Sequence, residues 1–288
     1  MHRRSFIRLL GSYVTTAASI PLLKGCEVAF NSDDPVYSFP QGVASGDPRP
    51  YSVVLWTRLQ AYAGIPEWVT LEVSTNLAFT SFLIQQSYRA EPETDHSLRV
   101  VVDGLQPDSA YFYRFRAPDG TLSRVGRTLT APQDDDSASL RFAFASCQDR
   151  VHGFYRAWRH MIDADERRPA SDQIRFVVHL GDFVYETFDS EFQSPVDATL
   201  AQLDEGLSDA QGRLRTVEAF PDGGTTGGGV DFARSLADYR HLYRQYLQDP
   251  DLQDARARHR AGNQSDSAGP GVACRHGRQR RRGARIDN

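Results

Sequence analysis

Lysine is nearly missing from this sequence: of its 33 basic residues, Lys24 is the single lysine and the rest are arginine. A solvated surface does not demand that ratio, so it reads as the coding bias of a GC-rich gene. Cysteine is scarce as well. Cys26, Cys147 and Cys274 are too few and too scattered for a disulfide framework. After the first 25 residues no apolar run reaches the ~18 residues needed to span a bilayer, so the mature chain is not expected to be an integral membrane protein. Excess positive charge is absent too. A formal net charge of −4 argues against a dedicated nucleic-acid binder. What remains is ordinary: 40% hydrophobic and 24% charged residues exclude collagen-like, coiled-coil and wholly disordered chains. At roughly 150 residues per domain, the length suggests two domains.

Residues 1–26 read as an address. Arg3-Arg4-Ser5-Phe6-Ile7-Arg8 precedes a weakly apolar stretch from Leu9 to Leu23. A positive start, a modest apolar middle and a polar exit make a secretory signal. Arg3-Arg4 with Phe6 resembles a twin-arginine signal, which names the twin-arginine translocase as a partner and a periplasmic or secreted location. Leu22-Leu23-Lys24-Gly25-Cys26 also resembles a lipoprotein cleavage box, with Cys26 acylated as a lipid anchor.

Residues 36–132 read as a β-sandwich. Ser52–Arg58, Trp68–Val73, Leu98–Val102 and Ala110–Ala117 are strands, with Val69, Leu71 and Val73 sharing one face and Tyr111, Tyr113 and Phe115 another. Turn signals stand at Gly46-Asp47-Pro48, Asp103-Gly104 and Pro118-Asp119-Gly120. Gly104 to Tyr113 resembles the corner of a fibronectin type III-like module, where Tyr111 or Tyr113 would return its hydroxyl to the backbone. Ala131 to Ser137, with three acids and no large apolar side chain, reads as a linker.

The chemistry falls in residues 139–186. Leu140–Ala145 is a short apolar strand ending at Cys147. Gly153 to Ala164 has helical spacing of Phe154, Ala157, Trp158, Met161 and Ile162. Arg175–Leu180 is a second strand, ending in Gly181-Asp182. This β-α-β unit predicts parallel strands, with Cys147 and Asp182 at the two carboxyl ends where ligands gather. Asp182 offers two oxygens that can bridge cations. Tyr185 lies three residues on and offers a hard phenolate; Cys147 offers a softer thiolate. Each residue alone also fits a bland role: a small buried thiol, a turn, a packed aromatic. His179 reads as a hydrogen-bonded structural histidine, and His160 as a helix-surface residue.

Several stretches resemble alkaline phosphatase D (PhoD-like) proteins. They are Phe39 to Pro48 with Val53 to Arg58, Phe144-Ala145-Ser146-Cys147-Gln148, Val178 to Glu186, and Leu236 to Arg240 with Tyr243, Tyr246 and Asp249 to Leu252. The resemblance implies a fibronectin type III-like β-sandwich followed by an α/β metallophosphoesterase (calcineurin-like) domain. It implies action on phosphate mono- or diester substrates outside the cytoplasm, with iron (Fe3+) and calcium; the chain is expected to be a monomer. By motif match, Cys147 and Tyr185 would ligate iron and Asp182 would bridge.

The likeness ends near residue 259. Residues 187–230 are a polar, Gly-rich excursion. A helix is expected over 231–247, with Leu236, Tyr239, Tyr243 and Tyr246 on one side, and a shorter helix to about His259. Residues 260–288 carry seven Arg against two Asp and show no strand or helix period. An Asp-Asp-His motif that the family would supply next is missing. The expectation is an incomplete domain over 139–259 and an atypical Arg/Gly-rich tail over 260–288, produced by a change of reading frame. The alternative is an inactive fragment whose β-sandwich only binds.

Overall fold

Alternation of branched and aromatic residues with polar ones builds seven strands in the N-terminal half. They are β1 (Val43–Gly46), β2 (Ser52–Arg58), β3 (Glu67–Ser74), β4 (Ile84–Ala90), β5 (Ser97–Asp103), β6 (Ala110–Arg116) and β7 (Gly126–Leu129). The computed structural model describes residues 37–61, 65–137, 139–150, 154–188, 218–226 and 231–263. The expected export signal, Cys26, most of the Gly-rich excursion and the Arg-rich end lie outside them.

The strands form two antiparallel sheets, ordered β1-β2-β5 and β4-β3-β6-β7. Both sheets contribute to one apolar core: Val53, Leu55 and Val100 from the first, Val69, Leu71, Tyr113 and Phe115 from the second. Burial of such side chains is the main driving force for this half. Gly104 follows β5 with φ +77°, a left-handed turn that a side chain would strain. At the corner before β6, the Gln106 amide donates to the Tyr111 hydroxyl at 2.8 Å. Tyr111 thus takes the corner role, while Tyr113 is buried in the core.

The second half begins with β8 (Phe142–Ala145), α1 (Arg156–Glu166) and β9 (Phe176–His179). The strands are parallel, with Phe142 opposite Phe176 and Ala145 opposite His179. Next come the two-residue strands β10 (Thr187–Phe188), β11 (Gly224–Thr225) and β12 (Asp231–Phe232), which pair as β10-β12-β11. Helices α2 (Leu236–Tyr246) and α3 (Pro250–Arg258) follow. Arg260–Asn263 then forms β13, parallel to β9 on the side away from β8. That corrects the reading of 260–288 as lacking any strand. Four residues carry no period, and they are fixed by the free edge of β9 rather than by their own pattern.

The expected helix over 231–247 starts later, at Leu236. Ser235 caps it: the Asp238 amide donates to Ser235 Oγ, and the Asp238 carboxylate takes the Ser235 amide. The buried side of α2 is Asp238, Leu242, Gln245 and Tyr246, whereas Leu236, Tyr239 and Tyr243 are exposed. The carboxylate is stable there because it also accepts from the amides of Asp222 and Arg234. In α1, Ala157 is exposed and the inward residues are Trp158, Ile162 and Asp165.

Helices α2 and α3 brace the strands of the first half. Ala257 joins the β-sheet core. Gln253 donates to the carbonyls of Pro40 and Leu247, both at 2.7 Å. Asp95 sits between Arg58 and Arg244, and accepts from both. Burial raises the Asp95 pKa, but the two guanidinium groups outweigh it and hold the carboxyl below its ordinary value. Arg124 and Arg159 both pair with Asp254.

Candidate metal centre

Two parallel strands end at the same edge, and the backbone locks their ends together. The Cys147 amide donates to the Gly181 carbonyl at 3.2 Å, and the Gln148 amide to the Asp182 carbonyl at 3.1 Å. Gly181 has φ +135°, which only glycine adopts without strain. Cys147 and Asp182 follow at φ +57° and +53°. Left-handed backbone is uncommon outside glycine, and here it falls on both donor residues of one edge. The local turn aims their side chains at one another.

The result is a cluster around one oxygen. Cys147 Sγ lies 3.3 Å from Asp182 Oδ2, and the Tyr185 hydroxyl lies 3.4 Å from the same atom. Cys147 and Asp182 are exposed and Tyr185 half-buried, so the donors face solvent. Cys147 is therefore not the small buried thiol of the bland reading. The Tyr185 pKa is pushed up, first by burial, then by its contact with Cys147 and the charge of Asp182. With no cation, the phenol keeps its proton and donates to the carboxylate. Ionised together, one thiolate, one carboxylate and one phenolate would repel, and a cation relieves that repulsion. The donor set therefore fits a metal of mixed hard and soft preference. Among the described residues, no group of three or more His, Cys, Asp or Glu side chains is placed to hold a metal.

Residues that the sequence reading passed over hold this cluster in place. Gln148 is buried; its Nε2 donates to the Phe183 carbonyl at 3.1 Å, and its Oε1 accepts from Trp158 Nε1 at 3.3 Å. One side chain thus ties the Cys147 turn, the Asp182 turn and α1 together. The Tyr185 amide donates to the Tyr246 hydroxyl, and the Phe183 ring stacks on Tyr243 at 6.2 Å. Helix α2 thereby backs the segment that carries Asp182 and Tyr185. Adjacency to Cys147 points to Gln148, and helical spacing places Trp158, Tyr243 and Tyr246, but no spacing shows that they meet the Cys147 and Asp182 turns.

His179 departs from expectation. It is buried, but among the described residues neither ring nitrogen has a hydrogen-bond partner. Its ring instead meets Phe183 edge-on at 5.0 Å. Burial lowers its pKa against the pull of Asp182, so it packs as a neutral ring. His160 lies exposed on α1 as expected.

Comparison with known proteins finds two matching families in chain order. The PhoD-like phosphatase N-terminal domain matches residues 25–132, and the PhoD-like phosphatase domain matches residues 142–266. Alkaline phosphatase D of Bacillus subtilis (strain 168) is 32% identical over 266 residues, spanning 88% of this chain and 40% of that protein. A solved structure of PhoD superposes with a TM-score of 0.61 at 32% identity, over 78% of this chain and 38% of that one. The chain thus spans well under half the length of the relatives it matches.

Proposed function

The chain belongs to the PhoD-like phosphatase family, and from that premise we propose that it forms the N-terminal portion of an exported, metal-dependent phosphoesterase acting on phosphate mono- or diesters. In this reading the seven-stranded half is a fibronectin type III-like sandwich, and the β8-α1-β9 unit opens a calcineurin-like domain. The residues that support it most are Cys147, Asp182 and Tyr185, converging within 3.4 Å of one carboxylate oxygen at the carboxyl end of a parallel strand pair. In this proposal Cys147 and Tyr185 would hold iron, and Asp182 would be shared with a second cation such as calcium. Cations held there would neutralise charge on phosphate oxygens and lower the pKa of a bound water.

The chain's own residues have a positioning task. The exposed Cys147–Asp182 edge leaves room for a phosphate ester to approach. Gln148, Phe183, Tyr243 and Tyr246 keep the donors from swinging apart. Rigid support of this kind is what a charge-stabilising site requires, because donors that must reorganise lose their advantage. Three donors are few for two cations. The 288-residue chain alone is therefore expected to hydrolyse an aryl phosphate near background, and a fusion that continues it with the rest of a PhoD-like phosphatase domain is expected to be active. In that fusion, Asp182→Ala should lower kcat/KM by at least about 100-fold, since even supporting residues around a metal are worth 10–100-fold. Robust hydrolysis by the 288-residue chain, or an active Asp182→Ala fusion, would show the site to be misassigned. Export is tested separately. Replacing Arg3-Arg4 by Lys-Lys should retain the protein in the cytoplasm.

A further inference from the structure

A helix leaves its last carbonyls without partners of its own, so whatever meets them fixes where that end lies. The last turn of α2 is met by two side chains from different parts of the chain. Gln41 Nε2 donates to the Arg244 carbonyl at 3.2 Å, and the Arg150 guanidinium donates to the Gln245 carbonyl. Gln41 stands just before β1 in the seven-stranded half, whereas Arg150 follows Cys147 by three residues. On the same turn, the Tyr246 hydroxyl accepts the Tyr185 amide at 3.3 Å. The two strand ends that carry the candidate donors therefore meet at one helix turn. The Cys147 end reaches it through Arg150, and the Asp182 end through Tyr185.

The seven-stranded half grips that turn at two points. Besides the Gln41 contact to its carbonyl, Arg244 places its Nη1 2.9 Å from both carboxylate oxygens of Asp95, between β4 and β5. Arg58 of β2 orders both gripping groups. Its Nε and Nη2 donate to Asp95 at 2.9 and 3.1 Å, and its Nη1 donates to Gln41 Oε1 at 3.1 Å. That last bond decides which way the Gln41 amide faces and leaves its Nε2 for Arg244. Gln41 and Arg58 are 1% and 7% exposed, so the arrangement is built into the interior. An apolar contact would join the two halves without the cost of burying charge. A single contact would also let the helix roll about it, whereas a grip on both the side chain and the carbonyl of one residue fixes rotation. Rotation of α2 is what aims the Tyr246 hydroxyl and the Tyr243 ring at the segment carrying Asp182 and Tyr185.

We infer that Asp95 and Gln41 are positioning residues for the Cys147–Asp182–Tyr185 cluster: through Arg244, the seven-stranded half sets the spacing of the donors instead of only packing beside them. This rests on the reading of those three residues as one site. Amide hydrogen exchange of the metal-free 288-residue chain, resolved to single residues by fragmentation mass spectrometry, tests it. Tyr246→Phe removes the acceptor and sets the scale for a freed Tyr185 amide. Asp95→Asn touches neither residue, yet it should speed exchange at Tyr185 by about 10-fold, the worth of one charge-assisted hydrogen bond. It should add little further in a Tyr246→Phe background, because both changes act on the same bond. Gln41→Met should speed Tyr185 in the same way and serves where Asp95→Asn does not fold. The amides of Val69, Leu71 and Val73 on β3 report general loss of stability.

An unchanged Tyr185 amide, a rise no larger than that at β3, or full additivity with Tyr246→Phe overturns the inference. The second readout uses the fusion that continues the chain with the rest of a PhoD-like phosphatase domain. There Asp95→Asn should lower kcat and leave KM nearly unchanged, since Asp95 acts through α2 and meets no substrate. An unchanged kcat in an active fusion also overturns the inference. The exchange measurement needs neither metal nor hydrolysis. Faster Tyr185 exchange beside an inactive parent fusion would keep the positioning link and remove the functional reading. An active fusion whose Tyr185 amide ignores both variants would do the reverse.

Discussion

Single residues in this protein act through what surrounds them. His259 follows α3 and is 2% exposed, with its Nε2 3.7 Å from Asp165 Oδ2 and its Nδ1 3.3 Å from the Ile174 carbonyl. Burial lowers its pKa to about 4, against the pull of Asp165 and with help from Arg258 and Arg127. The fold therefore favours the neutral imidazole. Its stabilising contribution is complete above the ordinary histidine pKa of 6.5 and is lost as pH falls from there to about 4. The loss should be at most roughly 3 kcal/mol across that window. Chemical denaturation of the wild-type chain at pH 7.5 and pH 4.5 should show it, and His259→Asn should flatten the difference. An unchanged pH dependence in His259→Asn would mean that other groups carry the acid sensitivity. At the candidate site, Cys147, Asp182 and Tyr185 were legible as a trio because their residue types and strand-end positions are local facts. The support from Gln148 and Tyr246 was not, because it depends on contacts between segments far apart in sequence.

Elements were legible where burial imposes a period. Val69, Leu71 and Val73 alternate and are all buried on β3, and the strands β2, β3, β5 and β6 stand within a residue of expectation. Strands β1, β4 and β7 went unread. β4 carries Gln85, Gln86, Ser87 and Arg89 with little apolar alternation, and it is held as the edge partner of β3. The buried side of α2 is not given by apolar spacing. The apolar spacing of Leu236, Tyr239, Tyr243 and Tyr246 marks one side of the helix, but burial follows Asp238, Leu242, Gln245 and Tyr246, with Asp238 buried as a cap and Leu236 exposed. That cap sets where α2 starts, and α2 supports the turn carrying Asp182 and Tyr185 through Tyr243 and Tyr246. Ser235→Ala should therefore cost about 1 kcal/mol of stability, measured by thermal or urea unfolding, whereas Ser235→Thr, which keeps the hydroxyl that caps α2 and donates to Asp222, should cost far less. Equal losses in the two variants would show that the capping hydroxyl is not what matters.

At the scale of the whole molecule, the two halves are unequally finished. The seven-stranded half closes on its own core, and α2 and α3 tie it to the second half through Asp95, Asp254 and Gln253. The second half offers a parallel sheet with one bare aromatic face, carrying the exposed Phe142 and Phe144, and its donors stand at the exposed edge. Neither the bare face nor β13 could be read from composition, since both depend on which strands pair. On the function proposed above, Cys147, Asp182 and Tyr185 together would hold iron. Titrating the 288-residue chain with ferric iron and recording its visible spectrum tests that most directly. A phenolate-to-iron absorption band should grow to one iron per chain, vanish in Tyr185→Phe, and weaken in Cys147→Ser and Asp182→Ala. No band in the wild type, or a band that survives in the Cys147→Ser/Tyr185→Phe double variant, would contradict it.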